Sequence, residues 1–160
     1  MSLQLSREFV WQEMQKELFA VLGMVTEKGE SRTIGVVYIL QDQKLYILTG
    51  EDTWKVRHIR QNPSVSVTVP IPKRIPFLPW IKIPSATISF AGRASVVEAE
   101  KVGQDVLHAL VRGQESDEEK VEAMCVIEIE PVGDLITYGI GIPLMTMREP
   151  EKARGRATAA

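Results

Sequence analysis

The stretch TGEDTWKVRHIRQNPSVSVTV, residues 49–69, carries the strongest secondary-structure signals of the chain. Thr53 stands where a helix N-cap is expected, and the helical pattern that follows ends at Asn62-Pro63, because proline disfavours helical geometry in the residue before it. Residues 64–69 then alternate strictly between valine and a hydroxyl residue, which indicates a strand with one buried face. The stretch therefore predicts a short basic helix that leads directly into a strand.

The segments on either side predict two further helices and a set of short strands. The helices are expected at residues 6–17 and 100–113, and the strands at residues 18–27, 32–42, 44–50, 86–91 and 123–131, with 135–139 as an extension of the last. Asp42-Gln43 is the predicted turn of a hairpin, and Gly92 marks a bulge or a close backbone approach. About six short strands without βαβ alternation predict a mainly β, α+β fold: a small antiparallel barrel with peripheral helices.

The composition is that of one globular domain, with 160 residues, 44% of them hydrophobic and 25% charged. We expect residues 1–145 to form this domain and residues 146–160, which have no apolar face, to form a tail that is mobile or lies on a neighbour. The single cysteine, Cys125, excludes an internal disulfide and fits a reducing compartment. No apolar run approaches the roughly 20 residues of a membrane span, and the N-terminal residues lack signal-peptide features, so we expect a cytoplasmic protein.

The charge distribution is uneven, although the formal net charge is only −2. Residues 53–97 contain no Asp or Glu but seven basic residues: Lys55, Arg57, Arg60, Lys73, Arg74, Lys82 and Arg93. The densest acidic run, at residues 115–122, is interpreted as a solvated loop. This arrangement favours a small anionic ligand over a polyanion and argues against nucleic-acid binding.

Residues 70–84, PIPKRIPFLPWIKIP, contain five of the nine prolines, which exclude both a helix and a central strand. The segment is nevertheless strongly apolar, with Phe77, Leu78, Trp80 and four isoleucines. An apolar loop of this kind is expected to cover a partner subunit, a ligand mouth or a membrane surface. We favour cover of a subunit or a pocket, because no amphipathic helix can form through these prolines.

Several common catalytic and metal sites are not expected. Cys125 lies on the apolar phase of its strand, which favours a core residue over a nucleophile. One cysteine and two histidines, His58 and His108, do not form a closed zinc ligand set. The glycines of GIGIP, residues 139–143, lack the spacing of a nucleotide-binding fingerprint. No catalytic side chain and no metal site is therefore predicted.

The start of the basic helix has the properties of an anion site. Unpaired N–H groups and the positive end of the helix dipole meet there. Lys55 adds an ammonium group in the first turn, and Thr49 and Thr53 add hydroxyl groups. An ordinary capped helix with solvated basic residues would show the same spacing, so the pattern alone leaves both interpretations open.

A known family shares this order of residues, which runs from a strand through Thr49-Gly50 and Thr53-Trp54-Lys55 to the helix and the valine strand. The order resembles the FMN-binding split barrels of the pyridoxamine 5′-phosphate oxidase-like superfamily, and the resemblance covers roughly residues 18–97. It implies a six-stranded antiparallel split barrel that forms a homodimer with two flavins at the subunit interface. It also implies that Thr49, Thr53 and Lys55, with Trp54 beside them, hold the FMN phosphate.

The resemblance further implies residues that face the flavin ring. Val36 and Tyr38 are expected on the ring side of their strand. Thr87 falls near a position that contacts the isoalloxazine from the partner subunit. Arg57 and Arg93 are weaker candidates for the phosphate.

The chain departs from pyridoxamine phosphate oxidases proper at several positions. Those enzymes have an arginine where this chain has Trp54, and a basic pair where it has Thr33 and Tyr38. Arg32 is one residue from Thr33 and would therefore lie on the other strand face. Oxidation of a vitamin B6 compound is accordingly not expected.

These features predict an FMN-binding flavoprotein that acts as a flavin-dependent oxidoreductase, with the redox chemistry supplied by the flavin. One alternative is a deazaflavin-dependent reductase, in which Lys73, Arg74 and Lys82 would bind a longer anionic tail. Another is a non-catalytic flavin or haem binding protein, which the lack of an evident general acid or base favours. The expected partners are a second copy of the chain and an unidentified small-molecule substrate, not nucleic acid or a membrane.

Overall fold

A computed structural model describes residues 3–78, 80–111 and 123–159. The acidic run at residues 115–122 and the predicted helix end at residues 112–113 lie outside the described residues. The fold is mainly β with peripheral helices, so the predicted α+β class is confirmed. Within the described ranges, no helix combines the length and the apolar character needed to cross a bilayer.

Four α-helices and nine strands are present in the described residues. The helices are α1 (Arg7–Gln15), α2 (Trp54–Gln61), α3 (Gln104–Val111) and α4 (Pro150–Ala153). The strands are β1 (Leu3–Gln4), β2 (Phe19–Val25), β3 (Ser31–Val37), β4 (Ile39–Gln41), β5 (Lys44–Gly50), β6 (Ser64–Ile71), β7 (Ala86–Glu98), β8 (Met124–Tyr138) and β9 (Arg154–Ala157). Short 3-10 turns lie at Ala99–Lys101 and Leu144–Arg148.

The described strands form one mixed sheet with the path order β1-β9-β8-β7-β6-β2-β3, while β5 pairs with both β4 and β8. The pair β1–β9 is parallel, whereas β2–β3, β4–β5, β5–β8 and β8–β9 are antiparallel. The predicted six-stranded antiparallel barrel is therefore not confirmed, because the sheet has nine strands and does not close. Two of the additional strands come from the two ends of the chain.

The C-terminal residues, which were expected to be mobile or to lie on a neighbour, form α4 and β9. After α4, β9 pairs with the end of β8 and with β1. In β9, Gly155 and Ala157 are buried while Arg154 and Arg156 are exposed. Glycine and alanine have too little side chain to produce an apolar pattern, which explains why this strand was not predicted.

The chain divides into two compact units, and β6, β7 and β8 contribute residues to both. The terminal unit contains Met1–Glu17, Thr68–Phe90 and Val132–Ala160, and the central unit contains Leu18–Val67 and Ala91–Pro131. Fully buried side chains of the terminal unit include Val10, Met14, Ile88, Leu135 and Met147. Those of the central unit include Leu22, Leu45, Val56, Ile127 and Ile129. Each unit therefore has buried apolar residues of its own.

The hairpin of β4 and β5 aligns the strand that leads to α2. Asp42 and Gln43 both have a left-handed backbone, with φ of 49° and 59°, as a two-residue type I′ turn requires. Gln41 pairs with Lys44 across this turn, so the predicted turn is confirmed. Lys44 donates a hydrogen bond of 2.7 Å to Glu128 on β8, and this bond raises the pKa of Lys44. The hairpin is thus tied to β8 by a side-chain contact as well as by its backbone.

Gly92 lies on β7 where another backbone comes close, in agreement with the sequence. A Cβ at this position would lie 2.6 Å from Ile129 Cγ2 and 3.3 Å from the carbonyl oxygen of Glu130. We expect Gly92→Ala to lower the free energy of unfolding by about 1–3 kcal/mol, because the added methyl group overpacks the core. Urea unfolding followed by tryptophan fluorescence measures this change.

Gly103→Ala is the matched control, because a Cβ there would meet nothing within 4 Å. We expect it to lower the free energy of unfolding by no more than about 1 kcal/mol, because alanine is a weaker N-cap of α3 than glycine. Similar losses in the two variants would mean that the close approach at Gly92 is not the cause.

Candidate cofactor site

The start of α2 is a helix N-terminus without a side-chain cap. Thr53 has the extended backbone of an N-cap residue, with φ −74° and ψ 148°, but its side chain makes no cap hydrogen bond. Its Oγ1 is buried and has no hydrogen-bond partner in the described part of the chain. The N–H groups of the first helical turn also have no acceptor within the helix. Several unsatisfied donors therefore share one place, and an anion there would satisfy them.

Two other predicted phosphate ligands lie within a few residues of this cap. Thr49 is buried near the end of β5, opposite Cys125 of β8. Lys55 is half-buried in the first turn of α2, a turn that contains no acidic residue. No carboxylate among residues 3–78, 80–111 and 123–159 forms an ion pair with Lys55. Lys55 is therefore not held in an ion pair by a described neighbour.

Arg60, near the end of α2, is in contrast already paired with an acid. Its guanidinium donates to Glu51 at 2.8 Å, and this hydrogen bond raises the pKa of Arg60. Both residues line a cavity of about 470 Å³ that also reaches Met124 and Cys125. Because acidic and basic groups are mixed here, this cavity is a poorer anion site than the start of the helix.

Cys125 is a buried core residue, in agreement with the interpretation of the sequence. Burial raises the pKa of its thiol, which keeps the group protonated and disfavours the nucleophilic thiolate. The residue thus contributes packing to β8 and no reactive group to the cavity.

A second cleft, of about 460 Å³, lies against α2 and the turn that joins β2 to β3. Arg32, Trp54 and Arg57 are among its lining residues. The Trp54 ring meets the His58 ring nearly edge-on, with centroids 5.6 Å apart. His58 Nδ1 is buried and lacks a partner within the described residues. Arg32 also donates to Glu30 at 2.6 Å, so only part of the positive charge around this cleft is paired.

Arg32 and His58 are two of the cleft residues that were not predicted as ligands. Arg32 was assigned to the strand face opposite Thr33, yet it lines the same cleft as Trp54. This neighbourhood arises only when the β2–β3 hairpin lies beside α2, and no local pattern signals it. The presence of a histidine within a basic helix was the one available hint for His58.

The three residues predicted to face a flavin ring lie in different environments. Val36 and Tyr38 are only 7% and 1% exposed, so the chain itself buries them. Thr87 is half-buried on β7 and belongs to the terminal unit. Towards the end of β3 the exposed positions are instead Gly35 and Val37, and a ring bound on the surface there would meet those residues.

An apolar surface that was not predicted lies at the start of β2 and the end of β3. Leu18, Phe19 and Val37 are all exposed, and Phe19 is the cross-strand partner of Val37. A Cβ at Gly35 would lie 2.6 Å from the Phe19 ring, so this glycine leaves room for the ring against β3. We call Leu18, Phe19 and Val37 the β2–β3 patch. Neighbouring exposed apolar side chains of this kind commonly mark a contact surface.

Residues 7–133 match a family model described as pyridoxamine 5′-phosphate oxidase. The chain belongs to the pyridoxamine 5′-phosphate oxidase-like family. The resemblance based on residues 49–69 is thereby confirmed, and the match includes the whole uncapped start of α2. No protein of curated function matches the chain.

Solved structures with a similar fold have different functions in their names. The haem storage protein of Vibrio cholerae shares 15% sequence identity at a TM-score of 0.64, covering 86% of this chain and 98% of that one. A FAD-binding protein from Mesorhizobium loti shares 16% sequence identity at a TM-score of 0.59, and the match covers 80% of this chain and 91% of that one. An F420 reductase shares 16% sequence identity at a TM-score of 0.55, and the match covers 76% of this chain and 92% of that one. At such identities the likeness shows the fold alone, so the function must be argued from the site.

Proposed function

We propose that this chain is an FMN-binding flavoprotein of the split-barrel type and that it acts as a flavin-dependent oxidoreductase. The observation that carries the proposal is the buried, unpartnered Oγ1 of Thr53 at the uncapped start of α2, in the part of the chain that the structure describes. A phosphate group would supply the acceptor that this hydroxyl and the first-turn N–H groups lack. The residues present therefore fit the phosphorylated end of the cofactor.

Each ligand has a distinct part in holding the phosphate. The N–H groups and the hydroxyls of Thr49 and Thr53 would bind its oxygens at short range. Lys55 would compensate its charge with a mobile ammonium group, and Trp54 would lie beside it at the first helical position. FMN, when bound, supplies hydride and electron transfer, so the protein needs no acid or base of its own for that step.

The proposed assembly is a homodimer. The β2–β3 patch is the surface that a second copy would cover, because exposed apolar side chains gain most from leaving water. The flavin ring would then lie at the subunit interface, with Thr87 reaching it from the partner. Because the one cysteine of the chain is a buried, free thiol, we also propose a cytoplasmic location.

To test the proposed function, the purified protein is titrated with FMN, and the quenching of flavin fluorescence reports the binding. We expect saturable binding of one FMN per chain and a yellow protein that a reduced nicotinamide can bleach. FAD, coenzyme F420 and haem are titrated in parallel. Binding of F420 without FMN would replace the proposal by a deazaflavin reductase, and binding of no cofactor would overturn it.

Thr53→Val tests the observation on which the proposal rests. The substitution preserves the shape of the side chain but removes its hydroxyl, so we expect FMN affinity to fall roughly tenfold. Thr53→Ser retains the hydroxyl and should bind within about threefold of the parent chain. Thr137→Val is the matched control, because Thr137 Oγ1 is also buried and without a partner among the described residues but belongs to the terminal unit. Equal losses from Thr53→Val and Thr137→Val would contradict a phosphate at Thr53.

One observation favours haem binding as a second candidate function. His58 lines the 460 Å³ cleft, its Nδ1 has no partner among the described residues, and a histidine imidazole could hold the iron of a haem. Arg32 and Arg57 would then be placed to pair with the propionates. Haem binding with a Soret shift that His58→Ala abolishes would favour this candidate, whereas an unchanged shift would exclude His58 as the ligand.

A further inference from the structure

The loop between β6 and β7 exposes its largest apolar side chains. We call residues 72–85 the apolar loop. Phe77 is 94% exposed and Trp80 is 72% exposed, and Leu78 and Ile81 are also exposed. Such side chains normally lie inside a protein, so an aromatic tip in contact with water indicates a missing partner.

A defined turn holds this tip in place. Leu78 N–H donates to the carbonyl oxygen of Ile75 at 3.3 Å, and Ile81 N–H donates to that of Leu78 at 3.1 Å. Phe77 has a left-handed backbone with φ 67°, which is strained for a bulky residue. The strained residue is also the most exposed of the large apolar side chains in the described part of the chain. The chain therefore presents the ring of Phe77 to its surroundings and does not use it to cover a pocket of its own.

Three cations flank the apolar tip. Lys73, Arg74 and Lys82 line one shallow cavity of about 400 Å³ together with Ile75, Ile81 and Ile83. None of the three cations forms an ion pair with a carboxylate of the described residues. The loop itself contains no acidic residue. The surface is thus both apolar and positively charged.

We propose that the apolar loop docks onto the surface of a lipid bilayer that contains anionic lipids. Trp80 would lie at the boundary between headgroups and acyl chains, where its amphipathic ring is favoured, and the apolar ring of Phe77 would insert beside it. Lys73, Arg74 and Lys82 would contact the lipid phosphates, which complement their charge. A membrane was not expected from the sequence because the prolines exclude an amphipathic helix, but this arrangement needs only the observed turn.

A second copy of the chain is a less suitable occupant. If the loops of two copies met at a twofold axis, the three cations of one loop would lie close to the three of the other. That contact would be repulsive unless an anion lay between the loops. A lipid surface has no such conflict, because its headgroups supply the opposite charge.

Vesicle co-sedimentation of the full chain tests the proposal, with phosphatidylcholine vesicles compared with vesicles that also contain phosphatidylglycerol. We expect binding to the anionic vesicles only, weakened by salt. Each neutralised cation should reduce it by about fivefold, so Lys73→Gln/Arg74→Gln/Lys82→Gln should reduce it on the order of 100-fold. Phe77→Ser/Trp80→Ser should reduce it by about tenfold or more. Tryptophan emission should shift to the blue on binding, and Trp80→Phe should abolish the shift.

Matched controls exist elsewhere on the chain. Met145→Ser/Val132→Ser changes two other exposed apolar residues, and Arg148→Gln/Lys152→Gln/Arg154→Gln removes three other exposed cations. Both should bind anionic vesicles like the parent chain. Absence of binding to anionic vesicles, or equal losses in loop and control variants, would overturn the proposal. If the loop variants have a lower molar mass in sedimentation than the parent chain but bind vesicles equally well, the loop contacts a second copy of the chain instead.

Discussion

Replacing Lys55 by glutamine is expected to weaken FMN binding by about 10- to 100-fold, because a hydrogen bond to a charged group contributes about 1.5–3 kcal/mol. Lys55 is half-buried in the first turn of α2 and is not paired with a carboxylate of the described residues. Its loss therefore frees no neighbouring acid, and the effect should fall on the ligand. Equilibrium titration by flavin fluorescence measures the change.

Two further variants separate a specific contact from general charge. Arg148→Gln removes the same charge from an exposed position in the terminal unit, and it should change the affinity by less than about threefold. Lys55→Arg keeps the charge with a different geometry and should recover only part of the affinity. If Lys55→Gln binds FMN as tightly as the parent chain, the phosphate does not lie at the start of α2.

Ile127→Ala is expected to lower the free energy of unfolding by about 2–5 kcal/mol. Ile127 is fully buried on β8, directly opposite Ile47 of β5. The substitution removes three carbons and leaves a cavity that the surrounding strands fill only in part. Because many domains are stable by only about 5–15 kcal/mol, a loss of this size should be visible in urea unfolding curves and in the yield of folded protein.

The controls for this prediction lie at the same position and on the same strand. Ile127→Val removes one methyl group and should cost about 0.5–1.5 kcal/mol. Ile136→Ala changes an exposed isoleucine of β8 and should alter stability by less than about 0.5 kcal/mol. Comparable losses at Ile136 and Ile127 would mean that burial does not set the cost.

Elements whose signals lie within a few neighbouring residues could be predicted from the sequence. The cap position at Thr53 and the stop at Asn62-Pro63 located α2, which spans Trp54–Gln61. The alternation of residues 64–69 located β6, which extends to Ile71. In each case the pattern and the structure depend on the same local steric and burial rules.

Strands that depend on distant partners could not be predicted in this way. β1 has two residues, and β9 buries only Gly155 and Ala157, so neither has a pattern of its own. β8 continues through Pro131 and Gly133, two residue types that commonly interrupt a strand. The number of strands in the sheet could therefore be obtained only from the three-dimensional structure.

The residues of the candidate site show the same difference between local signals and long-range packing. The position of Thr53 and Lys55 at one helix start was predictable from local signals, and their role as ligands stays a prediction. The exposed face of β3 was not, because Gly35-Val36-Val37-Tyr38 has apolar residues on both phases and alternation cannot decide which phase is buried. Arg32 reaches the cleft beside Trp54 only through the packing of a hairpin against a helix.

If the proposed cofactor binds at Thr53, the missing cap would link cofactor supply to protein abundance. A side-chain cap contributes about 1 kcal/mol to a helix, and the free chain forgoes it in its described residues. A bound phosphate would take over that role, so newly made chains would become more resistant to cellular proteases when they capture the cofactor. Availability of the vitamin from which the cofactor is made would then govern how many copies survive, without any change in transcription.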